Sequence, residues 1–126
     1  MLYAGLDLGS QESFLYVVDR KGKKVVSGRV VMVRVALRRA VEPYLERGIG
    51  VALEAGGSTR WVHDYLLELG VREVYVVNPN KLRLIAESCK RTDKVNANLL
   101  AELYRLDGLP ERVHMPSVPA RELRMD

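Results

Sequence analysis

The order in which the hydrophobic period changes along this chain limits its fold more than any other feature. Three short apolar stretches come first: residues 2–8 (LYAGLDL), 13–19 (SFLYVVD) and 24–31 (KVVSGRVV). All are of strand length and none has a helical period. The second and third are joined by Arg20-Lys21-Gly22-Lys23, a tight glycine-containing turn, so they read as a hairpin. From Met32 to Arg47 the period becomes helical, with Val33, Leu37, Ala40, Val41, Tyr44 and Leu45 at three- and four-residue spacing. Pro43 lies inside this stretch and predicts a kink or an early end near Glu42, and Gly48 closes it. Strand and helix then alternate. Residues 49–55 (IGVALEA) predict a fourth strand. Ser58, after Gly56-Gly57, predicts the cap of a helix to about Leu69, with Trp61, Tyr65, Leu66 and Leu69 on its apolar stripe. Residues 72–77 (REVYVV) predict a fifth strand. Asn78-Pro79 opens a helix to about Ser88, with asparagine as cap and proline in the first turn. After a basic break at 89–91 (CKR), Thr92 is expected to cap a last helix through about Leu106.

The resulting order, β-β-β-α-β-α-β-α-α, is the chain order of an RNase H-like (RuvC-like) α/β fold. Right-handed crossovers and short connections leave few other arrangements. The expected architecture is a five-stranded mixed sheet with helices on both faces. Its first strand is central, the later strands run parallel to it, and the hairpin forms an antiparallel wing. Residues 1–106 are expected to make the domain. Residues 107–126, with Pro110, Pro116 and Pro119, are expected to be a tail or linker leading elsewhere. A chain of 126 residues suits one domain with a real core. No stretch approaches the ~18 consecutive apolar residues of a membrane span, and the N-terminus carries no signal-peptide pattern. Cys89 is the one cysteine, which excludes an internal disulfide and fits a reducing, cytoplasmic setting. Net charge is +4, from 20 basic and 16 acidic residues. The excess gathers in two stretches, Arg29, Arg34, Arg38 and Arg39, and then Lys81, Arg83, Lys90, Arg91 and Lys94. Each reads as a solvated helix face or as a contact to nucleic acid.

Most acids fall where solvent would take them, and three do not. Asp7 lies inside the first apolar strand, Glu54 ends the fourth, and Asp93 opens the last helix. A carboxylate at the end of a buried strand is costly unless compensated, and a metal ion is one compensation. In the expected fold the first and fourth strands are adjacent and parallel. Asp7 and Glu54 then project from neighbouring C-terminal ends, the edge where open α/β sheets place their sites. Asp93 and Asn96 are three apart and are expected on one face of the last helix, with Ala97 and Leu100 packing that face on the sheet. Such a cluster of oxygen ligands suits two Mg2+ (or Mn2+) ions about 4 Å apart, with positions left for water and phosphate. Each acid also has a plain structural reading. Asp7 can hydrogen-bond the following turn, Glu54 can pair with an arginine such as Arg60, and Asp93 suits the positive end of a helix.

Four segments, AGLDLGS (4–10), VALEAGGSTRWVHDYL (51–66), VYVVNPNKLRLIAES (74–88) and CKRTDKVNANLLAEL (89–103), carry a family likeness. Together the chain resembles the N-terminal domain of the DEDD-type insertion-sequence transposases, relatives of the Piv DNA invertase. The most specific parts are the strand followed by Asn-Pro and the Lys/Arg-Thr-Asp-Lys-x-Asp-Ala pattern. The resemblance implies DNA transposition or site-specific recombination, by magnesium-dependent phosphodiester cleavage and strand transfer. Asp7, Glu54 and Asp93 match the family's first three catalytic, metal-binding acids, and Asn96 falls on the fourth. Asn96 is a departure: it keeps a carbonyl oxygen but brings no charge, which weakens metal binding. Lys90, Arg91 and Lys94, beside Asp93, are expected to meet phosphate. The implied partners are DNA, an element-encoded guide RNA in some members, and further copies of the same chain, with no membrane. The family's full proteins carry a C-terminal domain with a serine implicated in recombination, which is expected to lie outside this chain. The present chain is therefore expected to be weak or inactive alone. Trp61 and Tyr75 read as core residues.

Two other classes compete. GLDLGS is also close to the first phosphate loop of actin-like ATPases and sugar kinases, in which the aspartate orients Mg2+-ATP. Against that reading, the chain has no second glycine-rich adenosine loop, is short for half of such a protein, and leaves TDKVNA without a role. The second is a catalytically inactive nucleic-acid-binding or dimerisation module, supported by Asn96.

Overall fold

The sheet grows outward from β1 (Leu2–Asp7), whose Leu2, Ala4 and Leu6 are buried on one face while Tyr3 and Gly5 lie on the other. A strand covered on both faces belongs in the middle of a sheet. β1 pairs antiparallel with β2 (Glu12–Val18) on one side and parallel with β4 (Ile49–Glu54) on the other. β3 (Lys24–Val31) completes the hairpin with β2, and β5 (Glu73–Val77) lies parallel to β4, giving the order β3-β2-β1-β4-β5. The structure, a computed structural model, describes residues 1–88 and 96–115. No described helix is long and apolar enough to cross a membrane.

Helices cover both faces. On one, α1 (Arg34–Val41) and α2 (Thr59–Leu69) send Leu37, Val41, Val62 and Leu66 into a core with Leu6, Val51 and Leu53. On the other, α3 (Pro79–Ser88) and α4 (Ala97–Arg105) place Leu82, Leu100 and Tyr104 against Ala52 and Val77. The five-stranded mixed sheet and its chain order agree with expectation. α4 sits close on the sheet because the strand residues beneath it are glycines. A methyl group at Gly5 would run into the backbone of Ala97 and Ala101, and one at Gly50 into the Tyr104 ring. Tyr104 meets Tyr3 edge-on with ring centres 5.2 Å apart, near the start of β1, while Ala97 lies over Gly5. α4 therefore runs antiparallel to β1, and its N-terminus points to the edge where β1 and β4 end.

Several boundaries differ from the sequence reading. The first helix spans only Arg34–Val41, and Glu42–Tyr44 is a short 3-10 turn, because Pro43 has no N–H to continue the α-helical ladder. Ser58 stands at the N-cap of α2 without capping it, its backbone being helical rather than extended. The hydroxyl of Thr59 instead donates to the Glu54 carbonyl at 2.8 Å. Gly70 closes α2 in the left-handed conformation expected of a helix stop. Asn78 caps α3 as expected, its Oδ1 accepting from the N–H groups of Asn80 and Lys81 at 2.8 and 3.2 Å.

The last helix begins at Ala97, later than the sequence reading placed it, and Thr92, its expected cap, lies outside the described residues. Asn96 takes the cap position in extended backbone, with Oδ1 accepting from the Leu99 N–H at 3.0 Å. Asn96→Ala is expected to cost about 1 kcal/mol, the usual penalty for an asparagine cap. The thermal midpoint should drop by a few degrees, and a midpoint equal to wild type would refute the cap.

Residues 107–115 were expected to be linker, yet the chain stays on the domain. The Tyr75 hydroxyl donates to the Pro110 carbonyl at 2.9 Å, and the Val113 N–H donates to the Val76 carbonyl at 2.7 Å. Arg112 pairs with Glu73 and lies 4.5 Å over the Tyr75 ring. The reason is the edge. β5 closes the sheet, and its outer backbone groups need partners. Burial works to raise the Glu73 carboxyl, but hydrogen bonds from Tyr104 and Arg112 outweigh it and hold it below its ordinary value.

Candidate active site

Side chains alternate across a strand, so Asp7 shares a face with Gly5, and Glu54 with Ala52. That is the α4 face, since Gly5 lies under Ala97 and Ala101, and Ala52 packs with Leu100 and Tyr104. The parallel register pairs Leu6 with Leu53, so Asp7 and Glu54 are the next step along each strand. Both are half-buried. Burial raises the Glu54 carboxyl above its ordinary value and the neighbouring Asp7 raises it further, while Arg83 of α3 pulls the other way. The sequence reading offered Arg60 as the alternative partner of Glu54; among the described residues the cation acting on it is Arg83, brought in by a different helix. Arg83 was counted only within a basic stretch, and nothing local in the sequence ties it to Glu54.

The two strand ends feed two glycine-containing turns. These bound a cleft of ≈ 340 Å³ lined by Asp7, Gly9, Ser10, Glu54, Gly56 and Ser58 among others. Thr59 pins the second turn through its bond to the Glu54 carbonyl. Asn96 arrives at the same edge at the head of α4. Asp93, Lys90, Arg91 and Lys94 lie outside the described residues, as does Cys89. Among the described residues no three His, Cys, Asp or Glu side chains gather as a metal-binding group. Asp7 and Glu54 are a pair, and the chain enters α4 from their edge.

Chemically, two carboxylates forced together under partial burial favour a cation between them, because a divalent ion removes both the repulsion and the desolvation cost. The donor set is all oxygen, which suits Mg2+ or Mn2+ over softer metals. The sequence reading did not find the two glycines that let α4 approach. A glycine inside an apolar strand was the available signal. Trp61 and Tyr75 are only half-buried, each packed on the edge of a core cluster and each beneath an arginine.

Comparison with known proteins gives one family and a distant likeness to solved structures. No curated protein matches. Among solved structures, the ethanolamine utilization protein EutJ of Carboxydothermus hydrogenoformans superimposes with a TM-score of 0.41 at 16% identity over 71% of this chain and 40% of its own. The Lmo2764 protein of Listeria monocytogenes, named as a candidate N-acetylmannosamine kinase, gives 0.42 at 17% identity over 70% and 38%. The chain thus spans about two fifths of the length of these structures. A family model described as transposase, that of the DEDD class of the IS110 group, matches residues 4–126. With nearly its whole length inside that match, the chain belongs to the DEDD transposases of the IS110 group.

Proposed function

We propose that this chain is the metal-dependent catalytic domain of its transposase, with an RNase H-like fold, and that it cleaves and joins DNA phosphodiesters. The observation that carries the reading is the meeting of Asp7 and Glu54 at neighbouring ends of parallel strands, where burial and then the neighbouring Asp7 raise the Glu54 carboxyl. The sheet order, with β1 central and an antiparallel β2–β3 wing, supports the fold assignment. Asp7, Glu54 and Asp93 would hold Mg2+, with Asn96 offering a neutral carbonyl oxygen. The chemistry an ion held there would supply is activation of an attacking water or 3′-hydroxyl and stabilisation of the leaving oxygen. Asp7 and Glu54 supply the negative charge from the rigid sheet, and the glycine turns leave room for a phosphate beside them. Lys90, Arg91 and Lys94 would hold the flanking phosphates. A guide RNA, assembly with further copies and a cytoplasmic setting belong to the same proposal.

One observation favours a second reading, a scaffold with a weakened metal site. The Asn96 oxygen is already engaged by the Leu99 N–H at the positive end of α4, where a cation is disfavoured. Titration of Mn2+ followed by its free-ion paramagnetic resonance separates the two. Saturable binding that falls by roughly tenfold or more in Asp7→Asn supports the catalytic reading. No binding at millimolar Mn2+, or binding indifferent to Asp7, leaves the scaffold.

A further inference from the structure

α1 and α2 pack against each other on the sheet face away from α4. Both start at the carboxylate edge. Arg34 opens α1 three residues after Val31, which pairs with Glu12 beside the end of β1, and α2 opens five residues after Glu54. Four arginines, Arg34, Arg38, Arg39 and Arg60, stand exposed on these two helices. α1 itself contains no acid. The ion pairs of Arg29 with Glu12 and of Arg112 with Glu73, and the hydrogen bond between His63 and Asp64, use none of the four. The nearby acids Glu12 and Asp64 are engaged, Glu68 stands exposed one turn beyond Asp64 toward the far end of α2, and Glu42 follows the end of α1.

A merely solvated helix face mixes signs, because like charges four apart weaken a helix. Arg34 and Arg38 are such a pair; Arg38 and Arg39 suit the negative end of α1, but Arg34 stands in its first turn, where the helix dipole disfavours a cation, so local stability does not account for Arg34. Arg34 is also held in place: its guanidinium carbon lies 5.5 Å from the Trp61 ring centre and 5.7 Å from that of Tyr65. An arginine resting on aromatic rings is pre-organised and remains free to grip a phosphate with two N–H groups. All four cations are arginine, the side chain whose planar fork matches phosphate.

We infer that the α1–α2 face is a second nucleic-acid contact of this domain, gripping the phosphate backbone of a DNA duplex without reading its sequence. Arg34, Arg38, Arg39 and Arg60 are the phosphate ligands, and the Arg34–Trp61 stack is its fixed point. The two helices begin at the Asp7–Glu54 edge, so a duplex held here is led onto that edge. The choice of DNA rests on the transposase family; the contact itself needs no metal.

The test uses the 126-residue chain in EDTA and the anisotropy of a labelled DNA duplex over a range of salt. Working without metal keeps its failure separate from failure of the carboxylate site. Replacing all four arginines by alanine should raise Kd at least ~tenfold and lower the salt slope by about 3 to 4. Lys21→Ala with Lys23→Ala, on the β2–β3 turn at the far end, should change Kd by less than about twofold. Trp61 is the sole tryptophan, so wild-type binding should also shift its emission. If the fourfold variant melts early, Arg38→Ala with Arg39→Ala carries the test, with a slope change of about 2. An unchanged Kd, an equal loss in the turn variant, a silent Trp61, or tighter binding to an RNA duplex of the same sequence overturns the inference.

Discussion

Gly5→Val should leave the domain unfolded, or without α4 docked, at room temperature. The added Cβ would collide with the Ala97 carbonyl and stand 2.8 Å from the Ala101 nitrogen and the Leu100 Cβ. Two of these three are backbone, so no rotamer change relieves the clash. α4 would have to lift as a body, taking the buried Leu100, Ala101 and Tyr104 off the sheet. Overpacking a core costs ~1–3 kcal/mol even where side chains can move, and a whole domain has only about 5–15 kcal/mol in reserve. Intrinsic preference points the opposite way, since valine favours strands and glycine is entropically costly in them. Tertiary contact wins because it acts on three atoms at once. Gly28→Val is the control: it lies on β3, and a side chain there meets nothing within 4 Å. Thermal unfolding by circular dichroism decides. A Gly5→Val midpoint within two or three degrees of wild type would show that α4 does not sit where β1 has its glycine.

Much of this arrangement could be read from residues, and the parts that could not share a cause. The strands announced themselves as short apolar runs. Asp7 and Glu54 were conspicuous because a charge at the end of such a run is costly unless something compensates it. Their pairing followed from chain order. What failed was anything decided by distant residues. The start of α4 depends on which side chain reaches the Leu99 N–H, and Asn96 does so once Ala97 is docked on Gly5. The clasp of Tyr104 and Arg112 on Glu73 joins residues 31 and 39 positions apart, so no local pattern encodes it. The same clasp keeps residues 109–113 on β5, where proline content alone suggested departure. Arg83 reaches Glu54 only because α3 follows β5 on the α4 face.

Glu54→Gln is expected to make the metal-free domain more stable at neutral pH and to remove its response to metal. Burial and Asp7 raise the Glu54 carboxyl in the folded state. Between the ordinary glutamate value and that raised value the native state binds more protons than the unfolded one, so stability falls as pH rises through the window. Above the ordinary glutamate value the penalty grows with pH until the carboxyl is fully ionised, so wild type carries it at neutral pH. Glutamine never acquires the charge. The variant should therefore melt above wild type at neutral pH in EDTA, and the gap should close as pH drops below the ordinary carboxylate range. Mn2+ reverses the order if Glu54 is a ligand, because a ligand at a hundred times its Kd adds about 2.7 kcal/mol to the species that binds it. Wild type then gains and the variant does not. Melting curves at two pH values, with and without Mn2+, give all four comparisons. A variant less stable than wild type in EDTA at pH 7 would mean that attraction to Arg83 outweighs burial and Asp7. The same Mn2+ shift in both proteins would remove Glu54 from the metal site and leave the carboxylate pair as structural strain without a use.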